Sequence, residues 1–242
     1  VPGEGYDTLV VADYSQIELR VMAHLSGDEG LLDAFGSGED IHAATAAKVF
    51  GVDVADVDNT QRSKIKGMTY GLAYGLSSFG LAQQLSIGRD EAQELMDAYF
   101  ERFPGVRSYL YGGVEEARRS GYTETLTGRR RYLPDLMSEN RQRRAMAERM
   151  ALNAPIQGTA ADIMQIAMND VRAAMAAADW AGDPAPQLLL QVHDELVCEA
   201  TTADHDQLRD LLVNTMSGVI ELAVPLEVDW ASGPSWAEAE KH

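Results

Sequence analysis

Residues 187–199 read QLLLQVHDELVCE. Two short apolar runs, 187–193 and 196–199, flank a tight turn at His193-Asp194-Glu195. Runs of this length, rich in Leu and Val and joined with no room for a helix, predict two strands lying side by side. A third such run lies near the other end of the chain. Residues 6–13 (YDTLVVAD) form a strand pattern that also ends in a carboxylate, Asp13. If these strands are neighbours in one sheet, Asp13 and Asp194 can share a metal. Hard oxygen ligands on rigid strand ends suit Mg²⁺, which binds through one or two carboxylates plus substrate phosphates. Two such ions would clamp the attacking and leaving oxygens of an in-line phosphoryl displacement. Taken alone, the pair reads first as ordinary turn or cap residues, because Asp often sits at strand ends.

Between these runs the pattern is helical. Residues 15–26 form a helix, with Ser15 and Glu18 at capping-box spacing. Residues 27–38 read as a broken turn region, and 40–50 as a short helix capped by Asp40. Further helices are predicted over 61–85, 89–103 and 106–120, then a β-hairpin over 122–133 around Thr127-Gly128. Residues 139–175 are helical with an interruption at Pro155. A helix over 204–222, a strand over 225–230 and a polar tail complete the chain. The fold class is therefore α+β: about four strands from the two ends of the sequence, and a long helical insertion between them.

One helix changes the weight of the carboxylate pair. Arg62, Lys66, Tyr70 and Tyr74 recur every four residues and so share one face. Two cations followed by two aromatics make a poor core stripe and a good nucleotide stripe. Arg and Lys meet phosphates, and Tyr meets sugar or base. Gly67, Gly71 and Gly75 each lower helix stability by about 1 kcal/mol relative to Ala. They make sense where something large approaches the backbone or where the helix moves. An ordinary amphipathic helix with solvated Lys and Arg is the competing reading.

The chain has 242 residues and a net charge of -18, from 20 Lys+Arg against 38 Asp+Glu. That average argues against a nucleic-acid partner. Residues 60–149, however, hold 15 of the basic residues and 11 acids, a net of +4, and the remainder carries -22. The asymmetry permits a polyanion partner for the middle segment only. A single cysteine, Cys198, allows no intrachain disulfide, reads as an inert strand residue, and fits a reducing cytoplasm. No apolar run reaches the ~20 residues of a membrane span. The start, VPGEG, lacks Met and any signal-peptide pattern, and reads as the middle of a longer protein. Arg outnumbers Lys 16 to 4, a hint of a GC-rich source.

Three stretches together resemble the bacterial DNA polymerase I family (family A), in its C-terminal fingers and palm part. Residues 13–20 (DYSQIELR) are similar to motif A. Arg62-x3-Lys66-x3-Tyr70-Gly71-x2-Tyr74-Gly75 is similar to motif B, on the fingers helix. Residues 192–195 (VHDE) are similar to motif C, and 153–162 (NAPIQGTAAD) match as well. Order and spacing agree over nearly the whole chain, and the Arg-rich composition is compatible with an actinobacterial source. The resemblance implies an antiparallel palm sheet with a large helical fingers insertion: palm over 1–50, fingers over 51–150, palm over 151–242. It implies a cytoplasmic DNA-directed DNA polymerase that uses two Mg²⁺ ions, dNTPs and primer–template DNA, with no membrane partner. The sequence is silent on oligomeric state.

Residue roles follow from the same resemblance. Asp13 and Asp194 would be catalytic and hold the ions, with the Tyr14 carbonyl and Glu195 as further metal contacts. Lys66 would grip the triphosphate and act as general acid toward the departing pyrophosphate. Ser15, Gln16, Glu18, His42, Arg62 and Tyr70 would line the nucleotide, Glu18 selecting against a ribose 2′-hydroxyl. Tyr74, Gly75, Arg149, Asn153, Gln157 and His193 would meet the DNA. Arg129–Arg131 read equally as a solvated hairpin tip and as a template-backbone contact. The Tyr70 phenol can stand in for the missing 3′-hydroxyl of a dideoxynucleotide. Weak discrimination against chain terminators is expected, and Tyr70→Phe should strengthen it. Competing dideoxy and deoxy substrates in primer extension measures this, and equal discrimination in both proteins would count against it.

Relatives of this kind carry a thumb and an exonuclease-type domain ahead of motif A, and neither fits before Asp13. The thumb supplies phosphate contacts, so weak, salt-sensitive primer–template binding is expected of this chain alone. Two alternatives stay open: a non-catalytic nucleotide- or DNA-binding fragment with weak or no activity, and another two-metal enzyme such as a nuclease. The nuclease reading leaves the Arg62–Tyr74 stripe unexplained.

Overall fold

The computed structural model describes residues 1–241. His242, the last residue of the expected segment 151–242, lies outside the described residues. In chain order the elements are β1 (Thr8–Tyr14), α1 (Ile17–Ser26), α2 (Glu29–Ser37), α3 (Ile41–Phe50), α4 (Asn59–Ala73), α5 (Ser78–Leu85), α6 (Arg89–Arg102) and α7 (Pro104–Ser120). Then follow β2 (Tyr122–Glu124), β3 (Arg130–Tyr132), α8 (Arg141–Ala177), β4 (Gln187–Val192), β5 (Glu195–Ala200), α9 (His205–Ser217), β6 (Val228–Gly233) and β7 (Glu240–Lys241). The chain divides into two compact units, Val1–Ile17 with Ala160–His242, and Glu18–Thr159. The second boundary falls inside α8.

The first unit is built on an antiparallel sheet in the order β4-β5-β1-β6-β7. β1 is central because its run of Leu9, Val10, Val11 and Ala12 is apolar on both faces, and all four are buried. Leu9 and Val11 pack with Val197 and Ala231 on one face. Each buried Leu or Val among them contributes roughly 1.5–3 kcal/mol. α9 also packs against β1, burying Leu208, Leu212 and Met216, and the Tyr14 phenol donates to the Met216 carbonyl at 2.8 Å. The sheet has one strand more than expected. The polar tail turns back after Gly233 and adds β7 to β6, with Ser232 opposite Glu240.

The second unit is helical apart from the β2–β3 hairpin. Residues 27–38 hold an ordered helix, α2, rather than a broken turn. Asp28 caps it, Oδ1 accepting from the Leu31 N–H, and Gly38 closes it in the left-handed region at φ 71°. Asp28 Oδ2 also accepts from the N–H groups of Gly105 and Val106 at 2.7 and 3.3 Å. One buried carboxylate therefore satisfies orphan donors of two helices, α2 and α7. The capping-box spacing of Ser15 and Glu18 is one residue out of register with the observed helix start. The helix begins at Ile17, so those residues do not occupy its N-cap and N3 positions. A capping box forms instead at α4, between Asp58 and Gln61. α8 runs through Pro155 without ending, against the expected interruption. A helix-interior Pro costs ~3 kcal/mol, and the buried residues Ala151, Ile156 and Thr159 around it offset that locally.

Candidate active site

In the first unit, three carboxylates gather at one end of the β1–β5 ladder. Asp13 lies directly opposite Glu195. The Tyr14 N–H donates to the Asp194 carbonyl at 3.1 Å, so Asp194 is one step further along. All three acids are half-buried, and His193 beside them is exposed. The turn is tight because His193 adopts the left-handed region, φ 54°, at a cost of roughly 1–2 kcal/mol for a non-glycine residue. The Gln191 amide donates to the His193 carbonyl at 2.6 Å and holds the turn. Glu195 Oε1 accepts from the Trp236 indole N–H at 2.7 Å. The Tyr14 phenol is turned into the core, where it donates to the Met216 carbonyl. Gln16 is left-handed as well, φ 53°, and its Oε1 is buried with no partner among the described residues. Cys198 is buried within β5, its thiol pushed up to about 12 by burial, which makes it unreactive.

The donor set is all hard oxygen. Among the described residues, no group of three or more His, Cys, Asp or Glu is placed so that it could hold a metal ion. A pair of carboxylates is the smallest protein share from which Mg²⁺ can be held, the rest of its shell being water and phosphate oxygens.

In the second unit, α4 carries the cation–aromatic stripe. Lys66 is exposed and Tyr70 half-buried. The Tyr70 and Tyr74 rings are 6.4 Å apart, and His42, on α3, lies 6.1 Å from Tyr70. Asp40 does two jobs. Its Oδ1 caps α3 through the His42 and Ala43 N–H groups, and its Oδ2 takes the Arg62 Nε–H at 2.7 Å. Partial burial raises the Asp40 carboxyl, but the Arg62 and Ala43 hydrogen bonds outweigh it and hold it below the usual range. The Tyr74 phenol donates to Glu18 Oε2 at 2.7 Å, and burial, then Glu18, push it well above its ordinary value. The glycines have a local reason. A Cβ at Gly67 would sit 3.0 Å from Leu85, and one at Gly71 would sit 3.0 Å from Leu76. What approaches the helix there is the chain's own leucines.

His42 is 3% exposed, and neither ring nitrogen has a hydrogen-bond partner among the described residues. Burial, aided by Arg62 and Lys66 and opposed by Asp40, pushes it from 6.5 down to about 4. At pH 7 it is neutral, with one N–H to offer an anion. The unfolded chain takes up this proton first. Stability should therefore fall as pH drops from about 6.5 to 4, with no further loss from this group below that. His42→Phe should remove that part of the loss, which urea melts at pH 7 and pH 5 would measure.

A cleft of about 330 Å³ in the second unit is lined by Tyr74, Leu76, Arg131, Met146, Arg149, Met150 and Asn153. The Asn153 Oδ1 is buried with no partner among the described residues. Tyr99, Arg102 and Thr123 also hold such atoms, but Gln16, His42 and Asn153 are the ones the motifs single out. Gly75 must be glycine: its φ is 72°, and a Cβ would meet the Arg149 backbone at 3.2 Å. Gln157 is exposed and opposes the rise of the Tyr74 phenol. The three hairpin arginines divide. Arg129 donates to the Gly158 carbonyl at 2.9 Å. Arg130 pairs with Glu124 at 2.6 Å over the Tyr122 ring. Arg131 lines the cleft.

The model described as DNA polymerase family A matches residues 1–238. The chain belongs to DNA polymerase family A. It is 54% identical over 239 residues to the DNA polymerase I of Mycobacterium bovis, covering 99% of this chain and 26% of that protein. It is 51% identical over 230 residues to the DNA polymerase I of Chloroflexus aurantiacus, covering 95% and 24%. The chain thus spans about a quarter of the length of these curated relatives. A solved structure, the POL domain of Pol1 from M. smegmatis in complex with DNA primer-template and dNTP, superposes with a TM-score of 0.92. It is 52% identical and covers 99% of this chain and 41% of that one. Family A membership agrees with the motif reading and with the α+β antiparallel sheet. Among the described residues no helix is long and apolar enough to cross a membrane.

Two contributors escaped the sequence reading. Asp40 was legible as a cap but not as the partner of Arg62, because the pair is 22 residues apart. Trp236 sat in a stretch read as polar tail. A lone Trp just after Gly-Pro-Ser was the available signal.

Proposed function

We propose that this chain carries the catalytic part of a template-directed DNA polymerase. It would add a dNTP to a primer 3′-hydroxyl. The observation that carries this reading is the shared β1–β5 ladder, which brings Asp13, Asp194 and Glu195 to one strand end. Two Mg²⁺ ions bound there would supply positive charge to the α-phosphate and to the primer hydroxyl. Asp13 and Asp194 would hold them, with the Tyr14 carbonyl and Glu195 as further contacts. Arg62 and Lys66 grip the triphosphate, and Lys66 protonates the departing pyrophosphate. The neutral His42 donates its N–H to a phosphate oxygen. Ser15 and Gln16 lie below the sugar, and Glu18, held by Tyr74, excludes a 2′-hydroxyl. Tyr70 faces the sugar and base. Tyr74, Gly75, Arg149, Asn153, Gln157 and His193 meet template and primer. The segments 1–50 and 151–242 act as palm and 51–150 as fingers, and a cytoplasmic location belongs to the same reading.

The test is primer extension by the purified chain with Mg²⁺ and single dNTPs. Addition that follows the template base is expected. dNTP binding without extension would instead favour the non-catalytic nucleotide- or DNA-binding alternative.

A further inference from the structure

The last residues before β7 make a contact that neither the motifs nor the sheet require. After β6 the chain turns at Gly233, where a Cβ would lie 2.7 Å from the Glu238 carbonyl oxygen and 2.9 Å from the Ala239 nitrogen. Only glycine admits so close a return. The returning segment is anchored twice. β7 pairs with β6, and Ala239 packs against the cluster of Leu9, Val11, Val197 and Ala231. Between Gly233 and these anchors a single helical turn, Trp236–Glu238, carries the indole. Trp236 is 45% exposed, so core burial does not explain its place. Its N–H nevertheless bonds Glu195 Oε1 at 2.7 Å.

The surrounding charge gives that bond a purpose. Across three neighbouring strands, Glu195, Asp13 and Asp229 stand directly opposite one another in one row. Like charges so placed repel and push side chains apart. A Lys or Arg beside Glu195 would hold it but would also cancel charge that a cation needs. An indole N–H only donates, and it carries no charge. It fixes one carboxylate oxygen, Oε1, and with it the plane of the carboxylate.

We propose that Trp236 is a positioning residue for Glu195, orienting its carboxylate toward the ion site of Asp13 and Asp194. The inference rests on the polymerase reading for the existence of that site. Partners that orient ligands in this way typically change metal affinity about 10–100-fold.

The test is Mn²⁺ binding to the whole chain, followed by electron paramagnetic resonance without DNA or nucleotide. Asp13→Ala should abolish the tight site. Trp236→Phe, which keeps a ring and removes the donor, should weaken that site about 10-fold. Glu195→Gln should weaken it comparably, and adding Trp236→Phe to Glu195→Gln should cost nothing more. Wild-type affinity in Trp236→Phe, with binding lost in Asp13→Ala, overturns the inference alone, as does an additive double variant. Tight binding that survives Asp13→Ala overturns the ion site and the inference with it. A second measurement is independent of how Trp236→Phe folds. The indole Nε1 proton resonance should move upfield in Glu195→Gln, and an unmoved resonance also refutes the contact.

Discussion

Replacing Asp13 with Ala is expected to slow primer extension at least about 1,000-fold, or roughly 4 kcal/mol at 1.4 kcal/mol per tenfold. Loss of ion-supplied charge in a phosphoryl displacement is worth several kcal/mol, so the figure is a floor. Asp194→Ala should behave alike, and Glu195→Gln should lose less. The loss should not come from unfolding. Asp13 faces Glu195 on one side and Asp229 on the other. Removing its charge relieves that repulsion, and a melt without divalent ions reads any folding cost apart from the lost chemistry. Single-turnover extension and a thermal melt on the same samples separate the two effects. Extension that survived both Asp13→Ala and Asp194→Ala would refute the metal assignment.

The largest stability effect is expected at a residue far from any motif. Asp28→Ala should destabilise the second unit by about 3 kcal/mol, since each lost cap costs ~0.5–2 kcal/mol and buried donors are left unpaired. Asp28 is 3% exposed and accepts from Leu31, Gly105 and Val106. Gly105 can come close because it has no side chain: a Cβ there would lie 2.9 Å from the Asp28 Cα. The expected fall in melting midpoint is roughly 6–12 °C, at 2–4 °C per kcal/mol for chains of this size. Asp28→Asn, which retains one acceptor oxygen, should fall less. A shift under about 2 °C in Asp28→Ala would mean the two caps do not carry this load.

Asp28 also shows why parts of the fold were hidden in the sequence. The motif strands were legible because their apolar runs are short, bounded and end in chemistry-bearing residues. The α4 stripe was legible because helical spacing alone puts four side chains on one face. Residues 27–38 were not, since Gly27, Gly30 and Gly36 lower local helix propensity. What holds α2 there includes burial of Leu31, Ala34 and Phe35, which no local pattern reports. β7 escaped for a similar reason: its pairing depends on a turn that only Gly233 permits. Pro155 misled in the other direction, as a local breaker overruled by buried neighbours. At the site, the carboxylate ends and the stripe were found. The cross-chain partners Asp40, for Arg62, and Trp236, for Glu195, were not. Ser15 and Glu18 looked like a cap, yet Glu18 is engaged by Tyr74, 56 residues away.

The Arg62–Asp40 pair has a consequence for how a triphosphate would arrive. The guanidinium already holds an anion of the chain's own, Asp40. A phosphate reaching it displaces a carboxylate, so the event is an exchange of one anion for another. The gain in Coulomb energy at that position is a difference between two partners. A count of cations along α4 therefore overstates how steeply affinity for a nucleotide should rise as salt is removed.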